Sequence, residues 1–465
     1  MHERHSGTWT VAVSYILAVW VVLSVNAVSE PLAVSLSWLV LLIFYAVVAR
    51  GEFPLTTIYM FFALGIFPTY LLTPVVLPFR LTLGEVTQLG ILAYAVFKTV
   101  RHRWKGFKAF SQSSGWELVI AISVLSGLLG LLWTNNFNET LRLLKYFSTY
   151  AFVFVLLLEV ESKMQFWKLM RRLDPLFVSA AVLLPLFSIF PHLMPFGENM
   201  GSIRNEKISG FERVFTPAML VLPMWVLWHL AQWLVRHRTR SFALACIGIG
   251  GLLFTFTRGI FVLLLVSVIF LGGVKPKFWL SFGGVVGLAL LIPPVRHLIL
   301  ARFSLGAVID PLQVPNMRAR LGEIAMALSS MDTRGLVAKL VGVGLGYSYP
   351  QYGLTYFNAP NVTYMSSLTE NGFFNVYYLQ GILGVLVFSF FSIKLFKMFR
   401  TAVAYSNKGF RPFYKLPEAL FIYFLGMGMT SGNFQNSEFI IVLSFAALLA
   451  HLLITNREVH ARFDF

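Results

Sequence analysis

The sequence predicts a single all-α polytopic integral membrane domain over residues 1–465, a bundle of about fourteen transmembrane helices with one long external loop at 293–371. Three observations carry that expectation. Hydrophobic residues make up 57% of the chain and charged residues only 12%, where a globular chain carries about 25% charge. Mean hydropathy is +0.73. Apolar stretches of spanning length recur from end to end, whereas a soluble chain of this length divides into about three domains.

The candidate spans are 8–28, 33–49, 54–72, 85–100, 116–133, 146–160, 175–194, 216–234, 242–257, 259–273, 278–292, 372–395, 416–431 and 437–455. The first run lacks a small-residue cleavage exit and is long enough to span, so it reads as a helix and not as a removable signal. The segments 259–273 and 278–292 are short enough to be tilted or re-entrant. An even number of spans puts both termini on one side. Placing them in the cytoplasm puts 24 of the 37 basic residues inside and 13 outside, because positive loops resist translocation. The formal charge of +17 then reflects loops facing anionic lipid headgroups, and no nucleic-acid partner is expected. Cys246 is the single cysteine, so no intramolecular disulfide and no thiolate metal cluster can form.

Two external segments run against the positive-inside trend. The first, Pro195 to Phe215, contains Arg204, Lys207 and Arg213. The second, Pro293 to about Asn371, contains Arg296, Arg302, Arg318, Arg320, Arg334 and Lys339. Within it, Leu321, Ile324, Ala325 and Leu328 recur at the spacing of an amphipathic helix over Arg318 to Met331, which predicts a helix lying on the outer face of the bundle.

Arginine is the residue type to examine on that face. Thr257-Arg258-Gly259 lies between two apolar segments. Arg258 is either a side chain snorkelling to the interface or a phosphate-binding group, since charge within a membrane is expensive and usually functional. Arg213, in Ser209-Gly210-Phe211-Glu212-Arg213, is open to pairing with Glu212 or with a headgroup. Arg320 stands three residues before Glu323, a helical ion-pair spacing, and Arg318 precedes it by two. Pairing or snorkelling accounts for any one of these better than for the whole outward set. Guanidinium groups bind phosphate oxygens bidentately, so several together fit a diphosphate.

Gly342-Val343-Gly344-Leu345-Gly346-Tyr347 has no strand-turn-helix unit around it. It reads as tight backbone turning and not as a nucleotide loop. Glu370, in Thr369-Glu370-Asn371-Gly372, stands at the outer start of a span, where an acid either complements the helix dipole or accepts a proton from a hydroxyl presented from outside. Asn371 follows it. The nearby tyrosines, Tyr347 and Tyr377 among them, form an interfacial belt or line a sugar groove. Only His192 and His297 fall on the outer side, no metal-ligand spacing occurs, and no metal or other cofactor is expected.

In this order, Gly210 to Arg213, Thr257-Arg258-Gly259, Arg320 ahead of Gly342 to Gly346, and Asn371 followed by Gly381-Ile382-Leu383-Gly384 resemble the O-antigen ligase and polymerase superfamily. The resemblance covers roughly residues 200 to 395. It implies a GT-C-like membrane fold, an undecaprenyl-pyrophosphate-linked oligosaccharide as donor and acceptor, and no metal requirement. It also implies a bacterial cytoplasmic membrane with the active site facing outward, and a chain-length regulator and a flippase as partners. In the ligases of this family a histidine stands immediately before the asparagine and is thought to act as general base. Glu370 occupies that place here, which makes a polymerase the expectation.

The expected activity is therefore inverting glycosyl transfer between lipid-linked repeat units of an O-antigen or exopolysaccharide. Glu370 is the expected base, with Arg213, Arg258, Arg318 and Arg320 on the diphosphate and Asn371, Tyr347 and Tyr377 as sugar contacts. A ligase passing glycan to a lipid or protein acceptor is the alternative within the class. A lipid-linked oligosaccharide transporter or flippase is the alternative outside it, although carriers commonly show internal repeats and midplane charge.

Overall fold

The computed structural model describes residues 6–26, 29–65, 67, 82–133, 137–190, 207–208, 211–212, 216–255, 257–272, 283, 296, 315–352, 363–366, 371–430 and 437–455. In chain order the helices are α1 (Ser6–Asn26), α2 (Glu30–Ala49), α3 (Pro54–Ala63), α4 (Leu83–His102), α5 (Trp104–Ser114), α6 (Trp116–Trp133), α7 (Phe137–Ser148), α8 (Phe152–Glu159) and α9 (Lys163–Ile189). They continue with α10 (Ala218–Arg236), α11 (Thr239–Leu253), α12 (Arg258–Gly272), α13 (Pro315–Asp332), α14 (Gly335–Val341), α15 (Gly372–Ala404), α16 (Arg411–Thr430) and α17 (Ser437–Thr455). Two short antiparallel hairpins interrupt this all-helical plan, β1 (Lys207–Ile208) with β2 (Phe211–Glu212), and β3 (Tyr349–Tyr352) with β4 (Thr363–Ser366).

The chain is a multi-pass membrane protein. Among the described residues, six helices are long and apolar enough to cross a bilayer: Pro31–Ala49, Trp116–Trp133, Lys163–Ile189, Ala218–Arg236, Gly372–Ala404 and Glu438–Thr455. Of the 278–292 segment only residue 283 is described, and helices cover at least part of each other expected span. Several bounds differ from the sequence reading. α9 starts at Lys163 and not at 175, because Ser162 and Gln165 form a capping box and the helix runs through Pro175. Between the expected spans 85–100 and 116–133 lies α5, an amphipathic helix that buries Phe107 and Phe110.

Burial sorts the helices into a centre and a rim. In α10 and α17 the apolar windows are 89% and 83% buried, against 22% in α2. A helix that is apolar all round belongs in a core or against lipid. α10 and α17 take the first place, packing Trp225, Trp228, Phe439 and Phe445 at 1% exposure or less. α2 takes the second, leaving Leu39, Leu42, Ile43 and Val47 more than half exposed on the flank that lipid would cover.

Polar contacts join like ends of successive helices, as alternating spans require. At one end Arg103 pairs with Glu161, Lys168 with Glu52 at 3.1 Å, and Arg400 with Glu418 at 2.7 Å. The Glu159 carboxylate also accepts the Leu55 and Thr56 N–H groups at 2.8 and 2.9 Å. That contact satisfies the orphan donors of α3, whose own cap residue Phe53 offers no side-chain acceptor. This is the basic end. At the other, loop-bearing end, Lys145 pairs with Glu85, and Arg334 donates to the Trp133 carbonyl at 3.4 Å. The expected amphipathic helix is α13, Pro315–Asp332, and it packs against α14, α15 and β3.

Candidate active site at the loop-bearing end

The site is organised by a break in α15. Gly381 has φ 65° and ψ −163° inside the helix, separating a short half at 372–380 from a longer one at 382–404. Such a break frees carbonyls that must find donors in a membrane interior. Val343 N–H donates to the Tyr378 carbonyl at 3.0 Å, and Gly344 N–H donates to that of Leu379 at 3.1 Å. The Ser126 hydroxyl donates to Leu379 as well, at 3.0 Å. Two further bonds tie the same turn to α6 and α7: Leu345 N–H to the Ser126 carbonyl at 3.0 Å, and the Thr140 hydroxyl to the Leu345 carbonyl at 3.0 Å.

Glycine is what allows this approach. Gly342, Gly344 and Gly346 have φ of 83°, 79° and 82°, the left-handed region that L side chains rarely enter. A Cβ on Gly342 would collide with the Leu379–Gln380 backbone, and one on Gly381 with the backbone of Leu340 and Gly342. The glycine run and the Gly381-Ile382-Leu383-Gly384 motif are therefore two sides of one backbone junction. Tight turning was legible in the sequence; its partner, some forty residues downstream, was not.

The junction fixes where the half-helix begins. Asn371 is its cap, extended at φ −121° and ψ 111°, and its side-chain oxygen accepts the Phe374 N–H at 2.9 Å. The helix N-terminus so formed points positive dipole ends toward its preceding residues, of which Glu370 is the first and lies outside the described residues. Asn371, expected as a sugar contact, is thus engaged as a cap. Tyr377 is half-buried, edge-on to Phe374.

Tyr347 lies across the junction from the half-helix. Its ring sits under the Arg334 guanidinium at 4.4 Å, and its carbonyl accepts from the Tyr378 hydroxyl at 3.3 Å. A cation over an aromatic face is favourable by about 0.5–1 kcal/mol where exposed. Tyr349 is fully buried against Tyr378, so this part of the tyrosine set is core and not an interfacial belt. Arg334 was not singled out from the sequence. Its one local signal is Gly335, at φ 74°, which separates α13 from α14 and turns the chain there.

The expected arginines are placed as follows. Arg318 and Arg320, described for backbone only, lie in the first turns of α13. That helix packs on α15, so the pair, Tyr347 and the Asn371 half-helix belong to one end of one assembly. Arg258 is the first residue of α12, also described for backbone only, and its helix packs on α10 and α16. Arg213 lies outside the described residues, directly after β2, which packs on α9.

Asp332, Glu323 and Glu438 are further acids of this end among the described residues. Asp332 pairs with Lys339 at 2.7 Å, a hydrogen bond and charge that hold the exposed ammonium above its ordinary pKa. Glu323 is buried on α13, and Glu438 is buried in the first turn of α17. Among the described residues no group of three or more His, Cys, Asp or Glu side chains is placed to hold a metal. No protein-family model and no curated protein matches this chain.

Proposed function

We propose that the protein is a membrane glycosyltransferase that joins undecaprenyl-pyrophosphate-linked oligosaccharide repeat units, an O-antigen or exopolysaccharide polymerase. It works in the bacterial cytoplasmic membrane with its termini inside and the loop-bearing end outside. Glu370 takes the proton of the acceptor sugar hydroxyl as its oxygen bonds to the donor's anomeric carbon. The glycosyl–phosphate bond breaks with its electron pair going to the diphosphate, and inversion follows from single displacement. Arg213, Arg258, Arg318 and Arg320 stabilise the charge that develops on the departing group.

One observation supports this reading above the others. The helix bearing Arg318 and Arg320 packs on the broken helix whose capped N-terminus directly follows Glu370. A base and an anion-binding group on neighbouring elements are what a single displacement needs.

The break itself is the observation that favours a carrier, since transporters use interrupted helices to bind their cargo at midplane. Here the carbonyls freed at the break accept from Val343, Gly344 and Ser126, which fits a structural junction better than a coordination site.

The deciding experiment incubates purified protein with a lipid-linked repeat unit and resolves the products by size. A glycan ladder is the expected result. A single transferred product would make the protein a ligase, and no new glycosidic bond would leave the carrier.

A further inference from the structure

The chain between α13 and β3 carries its charge and its apolar surface in an order that suits a bilayer. On α14, Leu336, Val337 and Leu340 are 71%, 57% and 48% exposed, while Ala338 turns inward at 2%. α14 packs on α15, and the turn after it brings Gly344 against the backbone of Gly130 in α6. α6 is one of the spanning helices, and it leaves Leu128 and Leu132 exposed at 55% and 76%. An apolar surface of this kind beside a lipid-facing flank marks a place where lipid covers the protein.

The backbone beyond α14 supplies a second, independent sign. Gly342 N–H donates to the Ala338 carbonyl at 2.8 Å, Val343 to Tyr378 at 3.0 Å, Gly344 to Leu379 at 3.1 Å and Leu345 to Ser126 at 3.0 Å. Four successive N–H groups thus find acceptors within the protein, as irregular backbone must at membrane depth and need not in water. Tyr378 and Leu379 come six and seven residues after Gly372, where α15 starts, and seven residues of helix are about 10 Å. α14 therefore descends beside the start of α15 to the depth of an interfacial helix.

Arg334 stands at the head of this descent. Its guanidinium covers the Tyr347 ring at 4.4 Å and donates, at 3.4 Å, to the carbonyl of Trp133, the last residue of α6. It forms no ion pair among the described residues, and nearby Asp332 is held by Lys339 at 2.7 Å. The planar fork keeps further N–H groups for phosphate oxygens, at the end of a span, where headgroups lie. We propose that α14 re-enters the bilayer at the loop-bearing end, with Leu336, Val337 and Leu340 among the lipid chains and Arg334 on the phosphate of one anionic phospholipid. The external loop expected over 293–371 is then interrupted by a membrane-embedded turn. The reaction proposed for this end plays no part in the argument.

Fluorescence quenching in vesicles tests it. A bimane label is attached at Leu336→Cys in the full chain, with Cys246→Ala removing the native thiol. The protein is reconstituted in equal amounts of phosphatidylglycerol and phosphatidylcholine, with brominated acyl chains on one lipid at a time and iodide available on both sides. The expected result is quenching by the brominated chains and shielding from iodide, while a label at Thr333→Cys, an exposed position just before Arg334, shows the reverse. Phosphatidylglycerol should quench at Leu336 as though enriched about fivefold over phosphatidylcholine, the pull of one basic group on an anionic headgroup. Arg334→Gln should abolish that preference and leave quenching by the chains in place. Iodide access at Leu336 equal to that at Thr333 overturns the proposal, because α14 would then face water. A preference that survives Arg334→Gln overturns it as well, since other charges would be holding the lipid. Should the label at Leu336 disturb folding, Leu340→Cys reads the same exposed face.

Discussion

The two ends of the bundle are held by different chemistry. At the loop-bearing end, main chain packs on main chain: the 342–346 turn bonds to α6 and to the break in α15 through N–H and carbonyl groups, with Ser126 and Thr140 as the side chains that join in. At the basic end, exposed long side chains meet, as in Lys168–Glu52 and Arg103–Glu161, and guanidinium groups lie on rings. Backbone junctions have one geometry and tolerate no added atom, while exposed ion pairs are individually worth little because solvent screens them. Rigidity is therefore concentrated where precise placement of a base and a leaving group would matter.

The comparison is tested most severely by chemistry. Glu370→Gln should leave the protein folded and able to bind lipid-linked donor, yet lower ladder formation by about a hundred- to ten-thousandfold, the usual contribution of a positioned general base. Glutamine keeps the shape and cannot take the proton. Near-normal ladders from this variant would remove Glu370 from the mechanism and turn the search to Glu323, Asp332 and Glu438, of which Glu323 and Glu438 are buried.

Arg258→Ala, and separately Arg213→Ala, should each reduce turnover by about a hundredfold or more at normal membrane abundance, as when one preorganised donor to a developing negative charge is removed. Lysine at either place should restore activity only in part, because it keeps the charge and loses the planar fork. Full activity in Arg258→Ala would reduce that residue to an interfacial anchor.

Much of the fold was legible because membrane spans announce themselves by length and apolarity; Trp116–Trp133 and Ser437–Thr455 coincide with the expected segments. What was not legible depends on contacts between distant residues. Asp174, one residue before the expected span at 175–194, is buried and accepts from Trp225 Nε1 at 2.8 Å, with His229 Nε2 at 3.0 Å. No local pattern pairs residues more than fifty positions apart. The break at Gly381 was hidden for the same reason, since 372–395 reads as one continuous apolar helix until the turn at Gly342 is brought against it. Near the candidate site, the tight turning at Gly342 to Gly346 could be read, whereas Asn371 as a cap and Arg334 over Tyr347 required the folded chain.

Gly381→Ala probes the loop-bearing end through stability. The new methyl group would meet the Leu340–Gly342 backbone at a residue with φ 65°. Overpacking and a left-handed side chain together should cost on the order of 2–4 kcal/mol. Thermal unfolding in detergent should show a clear loss, with reduced abundance in membranes. Gly250→Ala is the matched control, because a Cβ there meets nothing within 4 Å, and it should be neutral or slightly stabilising in its helix.

The smallest effect belongs to the basic end. Arg103 pairs with Glu161, and both side chains are substantially exposed, at 40% and 52%. Exposed pairs typically contribute about 0.2–1 kcal/mol, because side-chain entropy and solvent screening offset most of the attraction. Arg103→Gln should therefore shift thermal unfolding by less than Gly381→Ala does, and raising the salt concentration should shrink even that difference. A double-mutant cycle with Glu161→Gln isolates the pair from any other contact of either residue. A coupling energy as large as the Gly381→Ala loss would show that side-chain charge fixes the basic end as rigidly as backbone contact fixes the other, and the contrast between the two ends would fall with it.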